Sequence, residues 1–188
     1  MNVYDFDETI FHPDSSQSFL LYCLRHHSLA VSKALPKVIV QFLLYLKDGR
    51  RDAQNLKEAL FSFLNRIDNI DRVVEEFWEE HYDRISAWYL EQKRPDDLII
   101  SASPAFLLQP AADRLAVRLI ATDMNPYTGR IRGRNCHDTE KVRRYLKEYP
   151  TEAVEEFYSD SLSDTPMAKL AVRAFLVTGE ERIPWPDI

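Results

Sequence analysis

The chain has 188 residues, 24 Lys and Arg against 30 Asp and Glu, and a net charge of −6. That length sets one domain as the default, and 45% hydrophobic content supplies a core rather than disorder. The four glycines, Gly49, Gly129, Gly133 and Gly179, cannot write a glycine-rich dinucleotide loop or a Walker loop. Cys23 and Cys136 are too few for a disulfide framework, and the acidic balance argues against a nucleic-acid partner.

In chain order, Asn2–Tyr4 reads as a short strand ending in the acidic loop Asp5-Phe6-Asp7. Acids there do not suit a signal peptide. Four helices are expected next: about Ser16–His27, Ser32–Lys47 with Asp48-Gly49 as its stop, Asp52–Asn65, and Asp71–Gln92. Asp14 and Gln17 are spaced like a capping box before the first. Val38–Leu46 is the most apolar run, but it is shorter than the roughly 18 residues of a membrane span. A soluble, cytoplasmic protein with no transmembrane span is expected.

From residue 93 onward the pattern alternates. Leu98–Ile100, Leu115–Ala121, Val154–Tyr158 and Ala174–Val177 read as strands. Helices open at Ser103-Pro104 and Thr165-Pro166, with Ser103 and Thr165 as expected caps, and another covers Thr139–Glu148. Residues 123–134 read as a turn or small hairpin. Alternation of this kind predicts an α/β fold, a parallel sheet with helices on both faces. Residues 1–14 and 93–188 form the expected core, and 15–92 the expected all-helical insertion after the first strand.

Ligands of open parallel sheets bind beyond the carboxyl ends of the strands. Asp5 and Asp7 follow the first strand, Ser101 the second, and Asp160 and Asp164 the fourth. Asp5 and Asp7 project to one side of an extended segment. Gathered carboxylates repel unless one is protonated or a cation intervenes, and hard oxygens suit Mg²⁺. Lys141, if Asp138 caps its helix, lies in the first turn, where a cation opposes the helix dipole by roughly 0.3–1 kcal/mol. Facing an anion in the site accounts for it better.

Asp5-Phe6-Asp7-Glu8-Thr9, Ile100-Ser101-Ala102-Ser103-Pro104, Lys141 and Ser159-Asp160-Ser161-Leu162-Ser163-Asp164 occur in the order of the four motifs of the haloacid dehalogenase (HAD) superfamily. The chain resembles that superfamily over nearly its whole length. It is most similar to the phosphoserine-phosphatase-like branch, which also includes a phosphatidylglycerophosphatase group. The resemblance implies a HAD-like Rossmannoid core with an inserted helical cap. It implies an Mg²⁺-dependent phosphomonoester phosphatase working through a covalent aspartyl-phosphate.

Carried over by resemblance, Asp5 is the nucleophile and Asp7 the acid, then the base. Mg²⁺ is held by Asp5, Asp160 and the backbone carbonyl of Asp7. Ser101, Ala102 and Lys141 bind the phosphoryl group. Thr9 supports the loop, and Asp164 steadies Lys141 or a metal-bound water. Glu8 and Ser159 stand where the family often has glycine. A phosphotransferase with the same site, or a non-catalytic binding or membrane-surface module, is the alternative.

The substrate is less legible. His12, Asp14 and Arg50 (or Arg51) are candidates to face it, although Asp14 also reads as a cap and the arginines as a surface turn. A small phosphorylated molecule is expected as partner. Val38–Leu46, flanked by Lys33, Lys37 and Lys47, leaves a lipid phosphate or a membrane surface open, but its expected role is buried core of the helical block. Cys136-His137 lacks further ligands for zinc.

Overall fold

The computed structural model describes residues 1–48 and 53–186. Among these, the strands form one sheet in the order β3-β2-β1-β4-β5-β6. They are β1 (Asn2–Tyr4), β2 (Leu98–Pro104), β3 (Arg118–Thr122), β4 (Val154–Ser159), β5 (Ala171–Thr178) and β6 (Glu181–Pro184). Every pairing is parallel except β5 with β6. The fold is the expected mixed α/β Rossmannoid sheet.

β1 is central. Val3 pairs with Leu98 on one side and Phe157 on the other. The carboxyl ends of β1, β2 and β4 therefore lie side by side. A strand three residues long holds this place because it is fully buried, with Tyr4 stacked on Tyr158 and edge-on to Tyr89. β2 runs past the expected Ile100 to Pro104, with a register shift against β3 between those residues. Such a bulge re-aims side chains where pairing ends.

Between β1 and β2 come α1 (Ser15–His26), α2 (Ser28–Ser32), α3 (Leu35–Asp48), α4 (Ala53–Leu60), a 3₁₀ segment (Phe61–Arg66), α5 (Ile70–His81) and α6 (Ala87–Gln92). Asp14 caps α1 as its spacing predicts, accepting from the Gln17 amide at 2.8 Å. The single helix expected over Asp71–Gln92 is broken. Ile85 is extended and bridges Phe11, and the Ser86 amide donates to Ile10 O at 2.8 Å. The loop after β1 thus takes backbone groups that a continuous helix would have used internally.

One apolar cluster joins β1, the loop after it and the helices, including Tyr4, Phe6, Phe11, Phe19, Phe77 and Trp78. The Trp78 indole donates to Leu107 O at 2.6 Å, fastening α5 to α7 (Ala105–Leu115). A second cluster, with Val3, Leu98, Tyr145 and Phe157, fills the other side under α8 (Thr139–Glu148). Gly129, in the expected turn, adopts φ +69°. A Cβ there would stand 2.4 Å from Phe61 O, so glycine lets this turn meet the 3₁₀ segment.

α3 corrects an expectation. Val38–Leu46 is not buried core: Ile39 is 57% exposed, Leu43 59% and Leu46 64%. Hydropathy cannot tell an apolar face turned inward from one turned outward. β6 was also unexpected. Gly179, at φ +60°, turns the chain after β5, and the polar strand that follows carries little periodic signal. Gly49 and Asp52 lie outside the described residues.

Candidate active site

The loop Asp5–Pro13 leaves the end of β1 and folds back on itself, with the Ile10 and Phe11 amides donating to Phe6 O at 3.0 and 3.1 Å. Glu8 takes φ +55°, a left-handed conformation that glycine adopts without cost. That explains a glycine preference at this position. Here the glutamate is held by its own side chain, which accepts from the Asp14 amide at 3.2 Å and lies 3.2 Å from His12 Nδ1.

Asp5 and Lys141 meet at the centre. Lys141 Nζ donates to Asp5 Oδ1 at 2.7 Å and to Asp164 Oδ2 at 2.6 Å, and both Lys141 and Asp164 are only 2% exposed. Lys141 sits in the first turn of α8, as expected, although the side chain of Asp138 makes no capping bond. Burial alone would lower the Lys141 pKa, but the two carboxylates hold it above the ordinary lysine value. Asp5 is driven the other way: burial outweighs the help of Lys141 and raises its carboxyl to about 7.

Asp164 precedes α9 (Thr165–Ala168) and is free of capping, so its side chain reaches Lys141. Ser159 Oγ donates to the same Oδ2 at 2.8 Å, while Asp164 Oδ1 is buried without a hydrogen-bond partner. Thr165 is not the expected side-chain cap; its hydroxyl donates to Leu162 O at 2.7 Å. Thr9 ties the first loop to the fourth, its Oγ1 accepting from the Asp160 amide at 3.0 Å. Burial raises the Asp160 carboxyl as well.

Asp7 takes the Ser15 amide at 2.7 Å and the Ser103 hydroxyl. Ser103 was expected to cap α7; instead Pro104 holds that position and Ser103 lies in β2, its hydroxyl serving Asp7. Burial first, then the Asp14 charge, raises the Asp7 carboxyl, against the pull of the Ser103 bond. Ser101 is buried at the same strand end and accepts from the Ser103 amide at 3.0 Å.

Above Asp7 opens a cleft of about 570 Å³, mostly apolar, bordered by Leu20, Tyr45, Leu56 and Phe61 together with Asp14 and Lys57. Ala102 and Ser103 also line it, as His12 does not. Arg50 and Arg51 lie outside the described residues. Lys57, which the sequence did not single out, is the cation that lines the cleft among the described residues. Its Nζ donates to Ala102 O at 2.6 Å, and burial lowers its pKa while Asp7 and Asp14 oppose that shift. A lysine on a short helix carries no local signal of such a role; only the approach of α4 to β2 reveals it.

Asp5 and Asp164 thus grip one fully buried lysine, whose charge also reaches Asp160, while Asp7 stands next to Asp5 and is held by Ser15 and Ser103. The donor chemistry fits a hard divalent cation: Asp5 and Asp160 supply side-chain carboxylates just beyond the paired strands β1 and β4, Asp7 offers a backbone carbonyl two residues after Asp5, and one buried oxygen of Asp164 lacks a partner. No cluster of three or more His, Cys, Asp and Glu side chains forms a metal cage among the described residues. The expected set needs only two side chains and a carbonyl.

A family model described as haloacid dehalogenase-like hydrolase matches residues 3–169. The chain belongs to the haloacid dehalogenase-like hydrolase family. Solved structures agree in fold. A Bordetella pertussis Tohama I protein of unknown function superposes with TM-score 0.77 at 21% identity, covering 94% of this chain and 88% of that one. A HAD family hydrolase from Salmonella enterica subsp. enterica serovar Typhi gives 0.63 at 13%, covering 90% of this chain and 59% of that one. A phosphoserine phosphohydrolase-like protein from Francisella tularensis subsp. tularensis SCHU S4 gives 0.54 at 16%, covering 94% and 87%. No curated protein matches this HAD-like hydrolase in sequence.

Proposed function

We propose that this HAD-like hydrolase cleaves a phosphomonoester through a covalent phosphoryl group on Asp5. The observation that carries the reading is the buried Asp5–Lys141–Asp164 chain at the shared end of β1 and β4. A carboxylate attacking a phosphate dianion needs positive charge beside it, and Lys141 is fixed there in a water-poor setting where electrostatics are strong.

In this mechanism one carboxylate oxygen of Asp5 attacks phosphorus as the bond to the leaving oxygen breaks. Asp7, held by Ser15 and Ser103, faces the cleft and gives its proton to that oxygen. It then takes a proton from the water that releases phosphate from Asp5. Ser101, the Ala102 backbone and Lys141 hold the phosphoryl oxygens. Asp164 and Ser159 keep Lys141 aimed at Asp5. Asp5, Asp160 and the Asp7 carbonyl would hold Mg²⁺, which supplies charge neutralisation at the phosphoryl oxygens when bound. Residues 15–92 act as the cap, with α4 carrying Lys57 over the site.

The cleft favours a phosphomonoester with an apolar leaving group, such as a lipid phosphate, over phosphoserine. Among the described residues its walls are chiefly leucines and aromatics, with Ser16 and Gln17, and its charges beyond Asp7 are Asp14 and Lys57. Asp14 is already engaged as a helix cap. The test is hydrolysis of an aryl phosphate with and without Mg²⁺, followed by phosphoserine and short-chain lipid phosphates. Mg²⁺-dependent turnover, abolished by EDTA, supports the reading; full activity in EDTA removes the metal. Transfer to an added alcohol in place of water would make the protein a phosphotransferase.

A further inference from the structure

α3 is an amphipathic helix turned the wrong way for water. Its half-buried positions are Val38, Gln41 and Tyr45, so the one uncharged polar residue of its centre lies on the inner side. Leu35, Ile39, Phe42, Leu43 and Leu46 recur at three- and four-residue spacing, and all are exposed. Leu21, Leu24 and Leu29 of the preceding helices are exposed as well. Of the seventeen large apolar side chains exposed among the described residues, ten fall between Leu21 and Leu46. Scattered exposed leucines are ordinary, but a continuous stripe marks a surface that meets something apolar.

Charge identifies what it meets. In a chain of net charge −6, residues 15–47 contain no Asp or Glu at all. They contain Arg25, Lys33, Lys37 and Lys47, all exposed. The lysines stand near the two ends of the apolar stripe, where long aliphatic stems can lie along apolar surface and place ammonium groups at a polar boundary. A helix that carries Lys37 and Lys47 and whose one acid is its last residue, Asp48, with an apolar face turned outward, matches the interfacial region of a bilayer with anionic lipids. Among the described residues no helix is long and apolar enough to cross a membrane, so α3 would lie along a bilayer surface rather than span it.

We propose that the outward face of α3, with its flanking lysines, docks the protein on an anionic lipid bilayer. The docking is separate from the catalytic reading, because none of Leu35, Ile39, Phe42, Leu43 or Leu46 lines the cleft.

The test is co-sedimentation of the full chain with phosphatidylcholine vesicles, with and without phosphatidylglycerol, at low and high salt. The wild type should pellet with the anionic vesicles and be released by salt. The Ile39→Glu/Phe42→Glu variant should bind at least roughly tenfold more weakly, since two apolar anchors become charges. Lys33→Glu/Lys37→Glu should also lose at least roughly tenfold, and only on anionic vesicles. Both variants should keep the wild-type melting temperature and aryl-phosphate turnover, which separates lost docking from lost folding or lost chemistry. A wild type that stays in the supernatant overturns the proposal. So does a soluble dimer that Ile39→Glu/Phe42→Glu splits without any vesicle binding, which would make α3 a contact between two copies of the chain.

Discussion

Two regions of this molecule reverse the usual distribution of polar and apolar groups. At the shared end of β1, β2 and β4 the interior holds Asp5, Asp164 and Lys141, each almost removed from water. On α3 the surface holds isoleucine, phenylalanine and leucine. The inner reversal is answered within the chain, by the bonds among Lys141, Asp5, Asp164 and Ser159. The outer one has no such answer among the described residues. Buried charges that satisfy one another point to chemistry at that spot, and an apolar face without a partner in the chain points to a contact outside it.

Removing Lys141 has the largest expected effect. Lys141→Met leaves two buried carboxylates without their cation and should cost about 3–5 kcal/mol in denaturant unfolding. It should also abolish turnover. A variant of near wild-type stability would mean that water, not the lysine, satisfies Asp5 and Asp164.

Lys57→Met tests the rim of the same site. Ala102 O loses one 2.6 Å donor but keeps the Thr122 hydroxyl, so the stability change should be about 0.5–1.5 kcal/mol. Steady-state kinetics should show a larger rise in KM than fall in kcat, because Lys57 lines the cleft without touching Asp5. An equal fall in kcat and kcat/KM would instead place Lys57 in the chemical step.

Glu140 gives a pH handle close to Lys141 in sequence. Bonds from Arg143, then from Arg144, outweigh burial and hold its carboxyl down at about 2. A depressed carboxylate stabilises the fold above its unfolded pKa, and that contribution is lost as pH falls from about 4.5 toward 2. Glu140→Gln should flatten the acid limb of the stability profile in that window. An unchanged limb would show that the arginines bring no net stability there.

The smallest stability effect is expected on α3. Ile39→Glu should change unfolding stability by less than about 0.5 kcal/mol, since the side chain already faces water. A loss of several kcal/mol would show that the α3 face is buried in solution.

How much of this was legible in the sequence differs between the two regions. The α/β alternation, the helix Thr139–Glu148 and the placement of Asp5, Asp160 and Lys141 followed from strand ends and periodicity, because those signals are local. Ser103 misled: beside Pro104 it has the form of a helix cap, but the bulge in β2 turns its hydroxyl to Asp7. Lys57 was invisible, since its role depends on where α4 packs. The break at Ile85 was equally hidden, being imposed by the loop after β1. On α3 the apolar run was plain, but its direction was not. Pattern records that a face is apolar, and only packing records which way it points.

The most direct measurement is to trap the phosphoryl group. Turnover of an aryl phosphate is quenched in acid, the chain is reduced with borohydride, and the peptide containing residues 1–10 is examined by mass spectrometry. Reduction of an acyl-phosphate at Asp5 to the corresponding alcohol, absent without substrate and absent in an inactive Asp5→Asn variant, is the predicted result. Wild-type turnover by Asp5→Asn, or turnover with no modification at Asp5, would contradict the account.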